Sequence, residues 1–294
     1  MATSAERTVS GSVVRACWES KANRAMSRMA MLAKTQYTAA MPPETVVVVS
    51  DAHLGHAPEP AASAFHRFLD VVPDLGSHLV VNGDLFDFWF EYGAVIPRHA
   101  FPTLSALDRV RRRGVRITVT GGNHDRWGGE FWRQQLGAEF HRGGVTVPLA
   151  GWRTFLAHGD GLAEHHLMAR AMHRVTRWPV TAALFRWLHP DLGFRLVDLM
   201  SRTLADQTRD PAALDRAAAS QEDFARAYLE AHADVDLVVL GHTHRPALVQ
   251  VGSGRWYVNP GAWMEGGRYA LITSAGPTLE TFAGAASRAD DSQP

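Results

Sequence analysis

Five short clusters of acidic, amide and imidazole residues punctuate the chain: Asp51-Ala52-His53, Gly83-Asp84, Gly122-Asn123-His124-Asp125, His158-Gly159-Asp160 and Gly241-His242-Thr243-His244. Carboxylate, amide oxygen and imidazole together suit Mn, Fe, Zn or Co. Cys17 is the sole cysteine, so multi-cysteine zinc or iron–sulfur sites and an internal disulfide framework are excluded. Asp51 and His53 are two apart, as are His242 and His244, so each pair can project to one side of an extended chain. The inventory suits two divalent ions. Held ~3.5–4 Å apart, such a pair clamps a phosphorus centre between the attacking and leaving oxygens. One carboxylate must bridge them to screen their repulsion, and Asp84 is the candidate. Gly83, Gly122 and Gly241 permit tight turns directly after a strand.

Something must carry these clusters to one place. Each follows a run that reads as a buried strand: Val46–Ser50, Leu79–Asn82, Val115–Thr120, Thr154–Ala157 and Leu237–Leu240. Helical stretches at Ala61–Val72 and Pro102–Arg113 lie between them, which predicts an α/β layered fold. Shorter strands at Val145–Leu149, Trp256–Asn259, Tyr269–Thr273 and Thr278–Phe282 would widen the sheet or form a second one packed on it. Ligands bind outside the carboxyl ends of strands in such sheets, so five strand ends point ligands into one crevice.

From Leu162 to His232 no strand is legible. Apolar residues recur at helical spacing instead (Leu167, Met168, Met172, Val175; Phe194, Val197, Leu199, Met200; Phe224, Tyr228, Leu229), and the segment reads as a helical cap inserted over the site. Residues 1–40 hold six Lys/Arg against two Glu. Residues 1–43 read as a disordered extension, 44–286 as the folded domain and 287–294 as a frayed tail.

Lys+Arg and Asp+Glu are both 30, so the formal net charge is zero. That argues against a nucleic-acid binder held by phosphate contacts. No apolar run reaches the length of a membrane span. Trp178–Leu188 is too short and too broken to cross a bilayer but could lie on one.

The ordered set D-x-H, G-D-x-x-D, G-N-H-D, H-G-D and G-H-T-H resembles the calcineurin-like metallophosphoesterase superfamily, over about Val46 to His244. The resemblance implies two packed mixed β-sheets flanked by helices. It implies one metal held by Asp51, His53, Asp84 and His244, and a second held by Asp84, Asn123, His158 and His242. His124 would stand beside the substrate phosphate with Asp125 orienting it, and Asp87 would support the ligands from behind. Within the superfamily, GDLFDFW (Gly83–Trp89), the helical insertion, GHTHRP (Gly241–Pro246) and NPGAW (Asn259–Trp263) resemble the UDP-2,3-diacylglucosamine diphosphatases of lipid A synthesis. That implies two divalent ions, usually Mn, and a lipid-linked phosphate substrate. It also implies a cytoplasmic enzyme, peripheral on the inner face of the cytoplasmic membrane. Apolar Met, Phe and Trp in 162–232 would wall the acyl chains. One position departs: those diphosphatases commonly read GNRD where this chain reads GNHD. Histidine can donate a proton, and arginine cannot.

Other polar residues carry less. Arg245 after GHTH is a candidate phosphate contact, and Ser201 and Arg202 are candidates for the sugar phosphate. His165, His166, His173 and His189 lack partner spacing and read as surface or packing residues. Phe88, Trp89 and Phe90 read as core. Arg111–Arg113 read as a helix C-terminus. Two other functions stay open: hydrolysis of a different phosphodiester, nucleotide or phosphomonoester, and a non-catalytic metal-binding scaffold.

Overall fold

The computed structural model describes residues 44–162, 174–205 and 211–285, with backbone alone for 179, 198 and 200–205. The N-terminal extension, the tail after 286 and the histidines at 165, 166 and 173 lie outside the described residues.

Among the described residues eleven strands form two sheets. The first runs in the order β11 (Gly276–Thr281), β10 (Arg268–Thr273), β1 (Val46–Val49), β2 (His78–Asn82), β3 (Arg116–Thr120), β4 (Glu139–His141). The second runs β5 (Val145–Leu149), β6 (Trp152–Leu156), β7 (Leu237–Val239), β9 (Arg255–Asn259), β8 (Ala247–Val251). Strands β1 to β4 are mutually parallel, as are β6, β7 and β9, and the outer strands β10, β11, β5 and β8 are antiparallel. The sheets are therefore mixed, and the parallel strands of each send their carboxyl ends to one edge.

Period-two alternation explains the layering. Val47 and Val49 of β1 join a core with Phe65, Phe68 and Leu69 of α1 (Glu59–Leu75) and Leu107 of α2 (Phe101–Arg112). Val46 and Val48 face the other way, against Leu156, Leu237, Val239 and Val258 of the second sheet. Because both faces of β1 are covered, all four of its valines are buried, and an unbroken β-branched run is the sequence that suits it. The outer face of the second sheet is covered by α6 (Pro211–Ala231), whose Ala225 and Leu229 pack with Val238, Leu240 and Tyr257. The last helix of the insertion is thus part of the core.

Further helices are α3 (Glu130–Leu136), α4 (Pro179–Phe185) and α5 (Pro190–Ala205). Among the described residues 162–232 hold no strand, as read. Two strands escaped the sequence reading. β4 is three residues long at a sheet edge, and β8 is an edge strand with alternate residues exposed. Neither carries the continuous apolar run that marks a covered strand. Arg111 and Arg112 do sit at the end of α2, where both pair with Asp108.

The opposite, amino-terminal edge of the first sheet is pinned by a polar cluster around the buried His78. His78 Nδ1 lies 3.1 Å from Glu44 Oε1, and its Nε2 lies 2.9 Å from Thr118 Oγ1. Arg116 also bonds Glu44. Burial, and then the Arg116 charge, push His78 down to about 4. The unfolded chain takes a proton near pH 6.5 that the folded one refuses, so this contribution is present above 6.5 and lost as pH falls toward 4. Between pH 7 and 5 the loss is about 2 kcal/mol. Denaturant unfolding of His78→Gln at both pH values should show a pH sensitivity smaller than wild type by about that amount. Equal slopes would contradict the assignment.

Candidate metal centre

The loops after the parallel strands are stitched to one another. Beyond β1 and β2 the ladder continues, with Asp51 N donating to Gly83 O (3.2 Å) and His53 N to Asp84 O (2.9 Å). In the second sheet Gly241 N donates to His158 O (2.8 Å). Across the sheets His158 Nδ1 donates to Asn82 O (2.9 Å), Asn82 Nδ2 to Ala157 O (2.9 Å), and His242 N to Asp51 Oδ2 (3.0 Å). Close approach demands glycine at two points. A Cβ at Gly83 would lie 2.3 Å from His158 Nδ1, and one at Gly122 would lie 2.1 Å from Asp84 Oδ1.

All five sequence clusters meet here. Ligand-type atoms of Asp51, His53 and His244 fall within 4.8 Å of one another; so do those of Asp84, His158 and His242, and those of His53, Asp84 and His124. Asp84 Oδ2 is 3.0 Å from His158 Nε2 and 3.8 Å from His53 Nε2. Asp51 Oδ1 is 3.5 Å from His244 Nε2 and 3.9 Å from His53 Nε2. Donors bonded to a shared ion at ~2.1 Å sit about 3–3.5 Å apart, so the spacings suit a cage.

Two further observations bear on whether cations fit among these atoms. Asp51 Oδ1, His53 Nε2, Asn123 Oδ1 and His158 Nε2 are all buried without a hydrogen bond, an arrangement that folded proteins avoid unless something else meets the group. Backbone strain also concentrates here. Among the described residues six non-glycines have positive φ, and five of them are Asp51 (54°), His53 (44°), Asp84 (52°), His242 (70°) and His244 (58°). Each costs about 1–2 kcal/mol and persists where function over-determines it. The residues fit a pair of divalent ions.

Hydrogen bonds set the imidazole tautomers. His158 gives its Nδ1 proton to Asn82 O, which fixes the ring with Nε2 turned toward Asp84, the nitrogen a cation would take. His244 Nδ1 is 3.0 Å from Glu265 Oε1, which turns its Nε2 toward Asp51. Electrostatics divide the rings. Burial lowers His53 to about 4 and also lowers His242, where the His158 charge adds to it. For His158 burial acts downward too, but the Asp84 and Asp51 carboxylates outweigh it and hold it high. His244 is likewise pushed up to about 10 against burial, through Asp51 and Glu265.

Two expectations change. Asp125 does not orient His124. Its carboxylate accepts the backbone N–H of Gly122 (2.8 Å), Asp84 (3.2 Å) and Leu85 (2.7 Å), so it ties the GNHD loop to the GD loop. Burial and the Asp84 charge nevertheless push it up to about 6. His124 is oriented by Asp87, whose carbonyl is 2.6 Å from His124 Nδ1 and whose Oδ1 is 3.7 Å away. Asp87 Oδ1 is also 4.0 Å from His53 Nδ1. Arg245 stands beside the site but its guanidinium is engaged by Asp215 on α6 at 2.7 Å. Ser201 and Arg202 fall in the last turn of α5, and their side chains lie outside the described residues. Trp89 and Phe90 are core, as read. Phe88 is half-buried and meets Phe185 of α4 and Phe194 of α5.

Several supporting residues went unread. Ser50 bonds Asp51 and also Asn82 O (2.9 Å), and Glu265 holds His244. Gln221, fully buried on α6, reaches Thr243, Asn259 and the Gly159 carbonyl at 3.3–3.4 Å. The only signal for Ser50 and Glu265 was proximity to Asp51 and to NPGAW, and Gln221 had none. Glu265→Ala should leave the fold intact and weaken Mn binding 10–100-fold, the usual cost of losing a residue that orients a ligand. Unaltered Mn affinity in a titration would remove Glu265 from this role.

The calcineurin-like phosphoesterase profile matches residues 44–246. A protein of Porphyromonas gingivalis named UDP-2,3-diacylglucosamine hydrolase is 28% identical over 256 residues, 81% of this chain and 97% of that one. A protein of the same name from Xanthomonas oryzae pv. oryzae is 30% identical over 81% of this chain and 99% of its own length. A third, from Bordetella pertussis, is 34% identical over 68% of this chain and 77% of its own. The profile begins just before β1 and ends just past His244, spanning every cluster that folds into the cage, and so this chain belongs to the calcineurin-like phosphoesterase family, as a metal-dependent phosphoester hydrolase.

Proposed function

We propose that the chain cleaves the diphosphate of a UDP-linked 2,3-diacyl sugar, giving the acyl sugar 1-phosphate and UMP. The observation that carries this reading is the path from cage to grease. Asp87 touches His124 and approaches His53, and the next residue, Phe88, packs on Phe185 and Phe194 of α4 and α5. Charged chemistry and an apolar wall are one residue apart, as an acylated phosphate ester requires. The relatives named above support the same substrate.

Asp51, His53, Asp84 and His244 would hold one ion, and Asp84, Asn123, His158 and His242 the other. Bound there, the pair supplies Lewis-acid polarisation of the phosphorus centre and a nucleophile at neutral pH. The residues supply the rest. Asp125 fixes the loop that presents Asn123 and His124. Asp87 directs the His124 ring through Nδ1, leaving Nε2 to steady charge on a phosphoryl oxygen or protonate the leaving group. Burial pulls His124 down, but Asp84 and Asp87 outweigh it and raise it above its ordinary value.

Purified protein offered UDP-diacylglucosamine, a generic aryl phosphodiester and a nucleotide should favour the first. Mass spectrometry should find UMP and acyl sugar 1-phosphate. Preference for a soluble ester would overturn the substrate reading and leave the reaction class standing.

The same reading places the chain against the cytoplasmic face of a membrane. No helix among the described residues is long and apolar enough to cross one. Trp187 is 91% exposed, and Trp178, Leu184, Leu192 and Leu196 on the same stretch of helices are exposed too. Vesicles containing anionic lipid should co-sediment the protein, and replacing Trp178, Leu184 and Trp187 by Ser should release most of it. Equal sedimentation would sink that part.

A further inference from the structure

A cavity of about 360 Å³ lies under the HGD loop, between the ends of β4, β5 and β6. His158 belongs to both places: its ring enters the cage, while its segment, Ala157 to Asp160, walls the cavity. Three guanidiniums line it, from Arg126, Arg142 and Arg177, against a single carboxylate, Asp160.

Among the described residues those charges are not balanced. Arg126 is only 7% exposed and bonds Asp160 through one terminal nitrogen, yet its Nε is buried with no partner. Arg177 shares the same carboxylate, through one nitrogen placed 2.9 Å from Asp160 O and 3.1 Å from Oδ2. Arg142 gives its Nε to Gly128 O (3.1 Å). A guanidinium carries five donors in a fixed fork that matches a phosphate. A buried cation with unmet donors, and two more at the rim, form a site for a dianion. Phe155 and Leu162 add apolar wall beside it. The volume is within the range that holds small organic ligands, well beyond what a bare phosphate needs.

We propose that this cavity recognises a phosphate group carried on a nucleoside, and that it receives the nucleoside monophosphate side of the substrate. The second clause rests on the substrate reading above; the first does not. Arg126 forms the floor. Arg142 and Arg177 close on the phosphate from the rim, and Phe155 and Leu162 meet the apolar part.

The test is calorimetric titration of the metal-loaded protein with UMP, inorganic phosphate and uridine. UMP should bind tighter than phosphate, and uridine should not bind measurably. The double variant Arg142→Ala/Arg177→Ala should weaken UMP at least 10-fold with metal content and melting temperature unchanged. In the unaltered protein, UMP should also protect Arg142 and Arg177 from a guanidine-modifying dicarbonyl, read by peptide mapping. Unchanged UMP affinity in the double variant, or no protection, overturns the proposal. So does uridine binding as well as UMP. Arginine-dependent binding in which phosphate equals UMP overturns the nucleoside assignment. If the substrate panel favours a soluble ester while arginine-dependent UMP binding holds, the substrate reading falls and the pocket stands.

Discussion

Replacing Asp84 by Asn should lower phosphodiester turnover at least about 10³-fold, roughly 4 kcal/mol of transition-state stabilisation. The reason is its central place. Oδ1 accepts the backbone N–H of His124 at 2.9 Å, and Oδ2 faces both His158 and His53. Asparagine keeps the first contact and forfeits the charge, so the loop should stay and the ions should go. Asp84→Ala removes both and should do no better. Stability separates this from misfolding. Asp84 lies fully inside the protein facing His158, so without metal the Asn variant should still unfold in one cooperative transition, at a lower midpoint because a buried imidazole has lost its carboxylate. What it should lose is the stabilisation that metal confers, about 2.7 kcal/mol at a hundredfold excess over Kd. Thermal unfolding with and without Mn reads both quantities. An Asn variant that Mn stabilises as strongly as wild type would remove Asp84 from the cage.

His124→Ala should leave metal content intact and slow turnover about 10²–10³-fold, within the range of a lost general acid. Of the imidazoles in the centre it is among those best placed to meet substrate. Its side chain is 29% exposed, whereas that of His158 is sealed at 0%. Its Nδ1 is occupied by the Asp87 carbonyl, and the ring stands edge-on to His53 at 4.8 Å. His124→Arg divides the two roles open to it. If charge alone matters, arginine should restore most of the rate on every ester. If a proton is delivered, arginine should restore the rate only on aryl esters, whose leaving group needs no acid. Turnover unaffected by His124→Ala would take the residue out of the chemistry.

The cage was legible because its ligands directly follow covered strands, where a β-branched run stops at a polar cluster. Asp51 after Val46–Val49 and His242 after Leu237–Val239 are the plainest cases. Two-residue spacing also placed Asp51 with His53, whereas His242 and His244, spaced alike, go to different groups. The supports were not legible in the same way. Asn82 is the last residue of β2 and looks like strand, yet its side chain bonds Ala157 O and Thr120 and joins the two sheets. Gln221 sits mid-helix in a segment whose pattern is otherwise Ala-rich. Nothing local distinguishes it from a solvent-facing glutamine. Asp125 was found but given the wrong partner, because adjacency to His124 suggests contact where the turn instead sends its carboxylate back to three amides. Strand edges failed for a simpler reason: β4 and β8 are short or half-exposed, and a covered strand is what an apolar run reports.

One experiment bears on the whole account. The protein is stripped with a chelator, assayed on an aryl phosphodiester, and reloaded stepwise with Mn while bound metal is counted by elemental analysis. Stripping should abolish hydrolysis, and activity should return as occupancy rises to two ions per chain. Stripped protein that hydrolyses the ester as fast as the loaded form would contradict it.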